Sequence, residues 1–335
     1  MEKSYKNVLV SGMRPTGKLH IGHIFGTLKN WVKYQNEYEC YFIVVDWHAL
    51  TTNYENTKDI SNNVVEVVTD YLAFGLDYNK STIYLQSLVE EVAVLHLILS
   101  MITPISWLER VPSFKDQIQQ LGKNIATYGF LGYPVLMTAD ILAFNAKYVP
   151  VGQDQIPHLE LAREIARRFN HLYGETFVEP EPILTDTPYI PGFDGRKMSK
   201  SYNNAIFIDE SEEETTEKVK KYITDPQKIY KNSPGRPEIC NVFTLHKAFE
   251  NPEISEIEQD CRKGKLGCVQ CKLKLANLIN TYLRPIREKR KEIQNDKSKI
   301  LDIIIEGSKK AKKITRTKLE EVNKKINLNI QGVKL

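Results

Sequence analysis

Two apolar runs constrain this chain most: NVLVS at residues 7–11 and CYFIVVD at 40–46. Both are nearly continuous and β-branched rather than alternating, so each reads as a strand buried on two faces. The first ends at Gly12, a turn signal, and residues 21–37 then place Ile21, Ile24, Phe25, Leu28, Trp31 and Val32 near helical spacing. The alternation continues with a helix over 57–75 ending at Gly75, a strand at 82–86, helices at 89–102 and 134–145, and a strand-like run at 147–152. Strands separated by helices predict an α/β, doubly wound parallel sheet of Rossmann-like type. Ligands of such sheets bind beyond the carboxyl ends of the strands.

The character changes near residue 180. VEPEPILTDTPYIPGFDGRK is rich in Pro and Gly and reads as an irregular linker; beyond it 211–223, 242–250, 269–294 and 297–325 look helical. The expected organisation is an α/β domain over 1–195, a loop at 196–204 and an all-helical domain over 205–335, whose last helix could pack back on the first domain. A length of 335 residues suits two domains. Hydrophobic residues at 41% and charged residues at 26% exclude disordered, collagen-like and disulfide-scaffold classes. No run approaches the roughly 20 apolar residues of a membrane helix. The first residues, MEKSYKNVLVSGM, lack the apolar core of a signal peptide, so a cytoplasmic protein is expected.

The net charge of +4 hides an asymmetry, because residues 284–335 hold 16 Lys/Arg against 7 Asp/Glu. An acidic body with a basic tail suits a polyanionic partner, and equally a solvated helix.

Three local patterns carry chemistry. GMRPTGKLHIGH at residues 12–23 follows the first strand with a Gly-rich turn and puts His20, Gly22 and His23 at the opening of a helix. Unpaired N–H groups and a positive dipole end suit phosphate there. KMSKS at residues 197–201 puts Lys197 and Lys200 in the linker, where ammonium groups can meet charge that grows in a transition state. Cys240, Cys261, Cys268 and Cys271 form C-x20-C-x6-C-x2-C, a metal-site pattern that lacks the second C-x2-C knuckle usual for structural zinc. Cys40 lies in a strand and reads as a small buried hydrophobe.

HIGH near the start together with KMSKS far downstream resembles the class I aminoacyl-tRNA synthetases. Residues 128–169, with GYPVLM, MTADIL and GQDQ, narrow this to the tryptophanyl-tRNA synthetase family, and the resemblance runs over most of the chain. It implies a tryptophan–tRNA ligase: tryptophan and ATP give tryptophanyl-adenylate and pyrophosphate, and tRNA(Trp) then takes the acyl group. His20, His23, Lys197 and Lys200 would act on the phosphates, with Mg²⁺ accompanying ATP. Arg14, Thr16, Gly22, Lys115, Gly152, Asp154, Met198 and Ser199 would bind the nucleotide. Asp140 would accept the indole N–H, Tyr133 and Gln155 would hold the α-amino group, His48 would face the substrate, and Met137, Val149 and Val151 would line the ring pocket. Without the resemblance, Asp140 in an apolar helix reads equally as a cap or a core ion-pair partner.

The tyrosyl relatives, the nearest alternative, read a phenol with an Asp and a Tyr on the first strand, where this chain has Val10. A non-catalytic paralogue sensing tryptophan or tRNA is the other alternative; intact HIGH and KMSKS count against it. A subset of the family carries a similar four-Cys pattern, with a slightly longer first gap, that holds a [4Fe–4S] cluster. The same is implied here, with zinc as the lesser possibility. The family is also a homodimer whose tRNA spans both subunits, with the helical domain contacting the tRNA anticodon.

Overall fold

A computed structural model describes residues 7–111, 126–184 and 189–328. Its centre is a five-stranded sheet: β1 (Val8–Met13), β2 (Glu39–Val44), β3 (Thr82–Leu85), β4 (Tyr148–Val151) and β5 (Glu181–Leu184). The order is β3-β2-β1-β4-β5 and every pairing is parallel, with Val8 opposite Glu39 and Met13 opposite Val44 at the centre. The strands are apolar on both sides because both faces are covered. Leu9, Phe42 and Ile83 join the core on one face, while Val10, Tyr41, Ile43 and Tyr84 join that on the other.

The helices over these faces are α1 (Ile21–His23), a π-helical turn at Ile24–Leu28, α2 (Lys29–Tyr34), α3 (Asp46–Asn53), α4 (Ile60–Phe74), α5 (Glu90–Ser100), α6 (Ile105–Glu109), α7 (Tyr128–Leu142) and α8 (Ile156–Tyr173). Trp31 of α2 is 1% exposed and stacks on Phe42 of β2 with centroids 4.4 Å apart. Burying that indole contributes on the order of 2–3 kcal/mol.

Beyond β5 the described chain is helical: α9 (Glu212–Lys220), α10 (Asn241–Ala248), α11 (Ile254–Arg262), α12 (Cys268–Gln294) and α13 (Lys297–Lys325). Leu275, Ile279 and Leu283 of α12 share one core with Leu9 and Phe42, so this half is joined to the sheet face. The last helix returns to the sheet: Leu85 N–H of β3 donates to Ser308 Oγ of α13 at 3.2 Å. α13 thereby covers an edge strand that would otherwise offer unpaired backbone groups.

Two expectations need correction. The Pro-rich stretch after residue 178 contains β5, because Pro182 is tolerated in the last strand of the sheet. The helix expected to begin at 134 begins at Tyr128, since Thr127 caps it by accepting Phe130 N–H at 3.1 Å; Pro134 lies inside. Among the described residues no helix is long and apolar enough to cross a membrane.

Candidate active site

Strand order turns at β1 and β4, and a cavity of about 410 Å³ opens there, a size suited to a small ligand. β1 and the turn after it supply Val10 to Arg14, and β4 with its following turn supplies Val149, Val151, Gly152 and Gln155. α7 adds Phe130, Tyr133, Met137 and Asp140, while α3 adds His48 and Thr51. The seven residues expected around a tryptophan thus line one cavity. Gly26, Thr27 and Asn30, in and beside the π-helical turn, complete the wall and carried no sequence signal.

Asp140 is the carboxylate in this wall, and it is 4% exposed. Gln86 Nε2 donates to both its oxygens, at 2.9 and 2.8 Å, and His48 Nε2 lies 3.1 Å from Oδ2. The Gln86 carbonyl accepts Trp47 N–H at 3.2 Å, which turns the amide so that its NH₂ faces the carboxylate. A buried carboxyl group without such partners would carry a desolvation penalty. Tyr133 is held likewise, its phenol 2.5 Å from His158 Nε2. Burial lowers the His158 pKa to about 4, so the neutral ring accepts the phenol proton.

The signature residues lie beside this cavity rather than in its wall. His20 backbone N–H donates to His23 Nδ1 at 3.1 Å, and the two rings lie 3.8 Å apart. Burial, aided by Lys200, lowers His20 to about 3; burial, His20 and Lys200 together take His23 well below its usual value. Both imidazoles are therefore neutral near pH 7 and act through N–H dipoles rather than as cations. His20 Nδ1 is buried without a hydrogen-bond partner among the described residues. Gly22 is required by packing, since a Cβ there would lie 2.9 Å from the His20 ring.

Lys200 Nζ donates to the Gly17 carbonyl at 2.6 Å, which brings the second signature against the first. Burial lowers its pKa to about 8, with Asp70 pulling up and Arg14 pulling down. Met198 is buried, and Ser199 N–H donates to Asn204 Oδ1 at 2.8 Å. Asn204, fully buried, donates in turn to Asp194 Oδ1 at 2.7 Å and to the Lys197 carbonyl at 3.3 Å, so it holds the loop's shape. Lys197, Thr16 and Asp154 are exposed, and Lys115 lies outside the described residues. Gln86, His158 and Asn204 are supporting groups that sequence reasoning missed.

The four expected metal ligands gather in the helical half. Cys240 caps α10, with Val242 and Phe243 N–H groups lowering its pKa against a larger effect of burial. Cys268 opens α12 and Cys271 stands one turn on, its sulfur 3.6 Å from His246 Nε2. Burial lifts Cys271 to about 12, and the other three thiols push in the same direction. Among the described residues no three His, Cys, Asp or Glu groups close on a common metal position.

Comparison with known proteins agrees with this geometry. A family model described as tRNA synthetases class I (W and Y) matches residues 2–284. A tryptophan–tRNA ligase of Aquifex aeolicus is 46% identical, covering 96% of this chain and 99% of the relative. One of Thermotoga maritima is 47% identical with the same coverage. A solved tryptophanyl-tRNA synthetase from Campylobacter jejuni, complexed with ADP and tryptophan, superposes with TM-score 0.87 at 36% identity over 96% of this chain and 99% of that one.

Proposed function

This chain belongs to the class I tryptophan–tRNA ligases, and from that premise we propose how its residues divide the work. The reaction joins tryptophan to tRNA(Trp) at the expense of ATP. The tryptophan carboxylate attacks the α-phosphorus, pyrophosphate leaves, and the terminal ribose hydroxyl of the tRNA then displaces AMP. No side chain need form a covalent bond, so the protein works by positioning and electrostatics.

One observation carries the assignment: the buried Asp140 carboxylate, turned by Gln86 and His48 in the wall of the cavity between β1, β4 and α7. It accepts the indole N–H while Met137, Val149 and Val151 pack the ring. Tyr133, its O–H hydrogen-bonded to His158, accepts from the α-ammonium through its phenol oxygen together with Gln155. Val10 offers no donor to a tyrosine hydroxyl oxygen, so the second of the two groups that read a phenol in the tyrosyl relatives is missing here. The neutral His20 and His23 donate to phosphate oxygens, and Lys200, with Lys197 from the exposed side, meets the departing pyrophosphate. Arg14, Thr16, Gly22, Gly152, Asp154, Met198 and Ser199 would bind the nucleotide and its Mg²⁺, with Lys115, outside the described residues, assigned there from the sequence alone.

The spacing of the four cysteines suits a [4Fe–4S] cluster, although among the described residues no three such groups close on one metal position. Backbone N–H groups of Val242 and Phe243 favour the Cys240 thiolate, and a Cβ at Gly235 would stand 2.6 Å from Cys261 Sγ, so glycine there leaves the backbone room beside sulfur. Cys240, Cys261, Cys268 and Cys271 would hold the cluster, which supplies a cross-link among α10, α11 and α12; zinc on the same thiolates is the alternative. Protein purified without oxygen should be brown with about four iron per chain. A colourless protein with one zinc replaces the cluster, and four freely reactive thiols with no metal end both readings.

A second copy of the chain fits the outer stripe of α5, where Val94, Leu97 and Met101 are 43, 55 and 75% exposed at one helical face. The function is tested by exchange of labelled pyrophosphate into ATP: tryptophan should support it and tyrosine should not. Exchange driven by tyrosine, or none with either, would overturn the assignment.

A further inference from the structure

The HIGH segment forms a small antiparallel pair with residues 206–208, the stretch that follows the KMSKS loop. Ile21 N–H donates to Ile206 O and Ile208 N–H to Leu19 O, each at 3.0 Å, with His20 facing Phe207. One face of α12 reaches both sides of this pair. On the side of the strand that follows KMSKS, Arg287 Nε donates to Ile208 O at 3.1 Å, its guanidinium held by Thr215 and Asn280. On the HIGH side the link passes through Asp70 of α4, which is 1% exposed. Asp70 Oδ2 accepts Leu19 N–H at 3.0 Å, and Oδ1 accepts Arg290 Nε at 2.6 Å. Arg290 also pairs with Glu66. Both arginines are at least nine-tenths buried, and their i, i+3 spacing puts them on one face.

Stability alone does not call for these charges, because apolar replacements of buried ion pairs are often as stable. What the charges do here is hold the backbone: Arg287 the residue after Phe207, and Asp70 the residue before His20. We propose that Arg287, Arg290 and Asp70 are positioning residues for adenylate formation, fixing the spacing of the His20 and Lys200 segments from the helical half of the molecule. The inference rests on the reading of His20 and Lys200 as phosphate-facing groups. The same helix begins at Cys268, so one continuous helix links the helical half to the backbone beside His20 and Phe207.

The test is steady-state pyrophosphate exchange by Arg290→Met and Asp70→Asn, with melting temperature measured on the same samples. Displacing the phosphate groups should lower kcat by about 10- to 100-fold. KM for tryptophan should stay within about twofold, since its cavity lies on other elements. Arg290→Lys should recover part of kcat. An unchanged kcat with a lowered melting temperature would make the group a structural staple and overturn the proposal. Should Arg290→Met not fold, Arg287→Lys keeps the charge and loses the fork, and an unchanged kcat there overturns it equally. Lys200→Ala separates the two levels: if it leaves kcat intact, the phosphate-site reading fails, and if it alone is slow, only this inference fails.

Discussion

The amino-acid cavity and the phosphate site lie side by side and are built on opposite principles. In the cavity every polar reader named above is already engaged: Gln86 and His48 hold Asp140, and His158 holds Tyr133. At the phosphate site His20 Nδ1 is buried without a partner, both imidazoles are pushed neutral, and Lys200 is drawn down to about 8. Selection needs a charge oriented before the ligand arrives. Rate needs donors that gain most when charge develops, after binding. The first region is therefore satisfied and the second under-satisfied.

That contrast breaks or sharpens by mutation. The largest effect belongs to Lys200→Ala, which should lower kcat by about 100- to 1000-fold with a smaller change in KM for ATP. Lys197→Ala, from an exposed position, should do less. A rise in KM(ATP) with kcat intact would show ground-state binding instead. Gln86→Leu comes next: losing the amide that turns Asp140 should raise KM for tryptophan about tenfold and leave kcat nearly unchanged. If kcat falls instead, the two regions are not separable.

The pH profile follows. Lys200 is charged below about 8 and loses its charge as pH rises through that value. kcat/KM for ATP should accordingly decline by a few-fold above pH 8, and Lys200→Arg should abolish the decline. A flat wild-type profile to pH 9.5 would contradict the lowered value. The smallest effect concerns α13. Lys309 pairs with Glu306 and Lys312 with Glu90, while Lys310 and Lys313 are exposed. Neutralising Lys310 and Lys313 should flatten the salt dependence of tRNA binding by roughly 2 log units per log unit of salt, and the other two lysines should add little. An unchanged slope would leave α13 as a cover for the sheet edge.

The first four strands were legible because each is a continuous apolar run. β5 was not, since it is only four residues long, starts with Glu181 and Pro182, and stands in a stretch rich in Pro and Gly. α11 was missed for a similar reason: it buries only Ile257, too little for a periodic signal. The chemistry-bearing side chains were legible through short motifs. Their supports were not: Gln86 meets Asp140 across 54 residues, and Asp70 meets Arg290 across 220. Such pairs exist only once the sheet and α12 are assembled. Asn204 lay three residues past KMSKS, yet nothing local distinguishes a buried loop-holding amide from a surface one.

The central claim is that Asp140 reads the indole N–H, and an analogue tests it most directly. Benzothienylalanine keeps the bicyclic shape of tryptophan and replaces N–H by sulfur. Wild-type enzyme should prefer tryptophan in kcat/KM for pyrophosphate exchange by about 100-fold, since the analogue leaves a buried carboxylate without its donor. In Asp140→Ala the preference should collapse to near unity, chiefly through loss of activity with tryptophan. A variant that keeps the full preference would contradict the account.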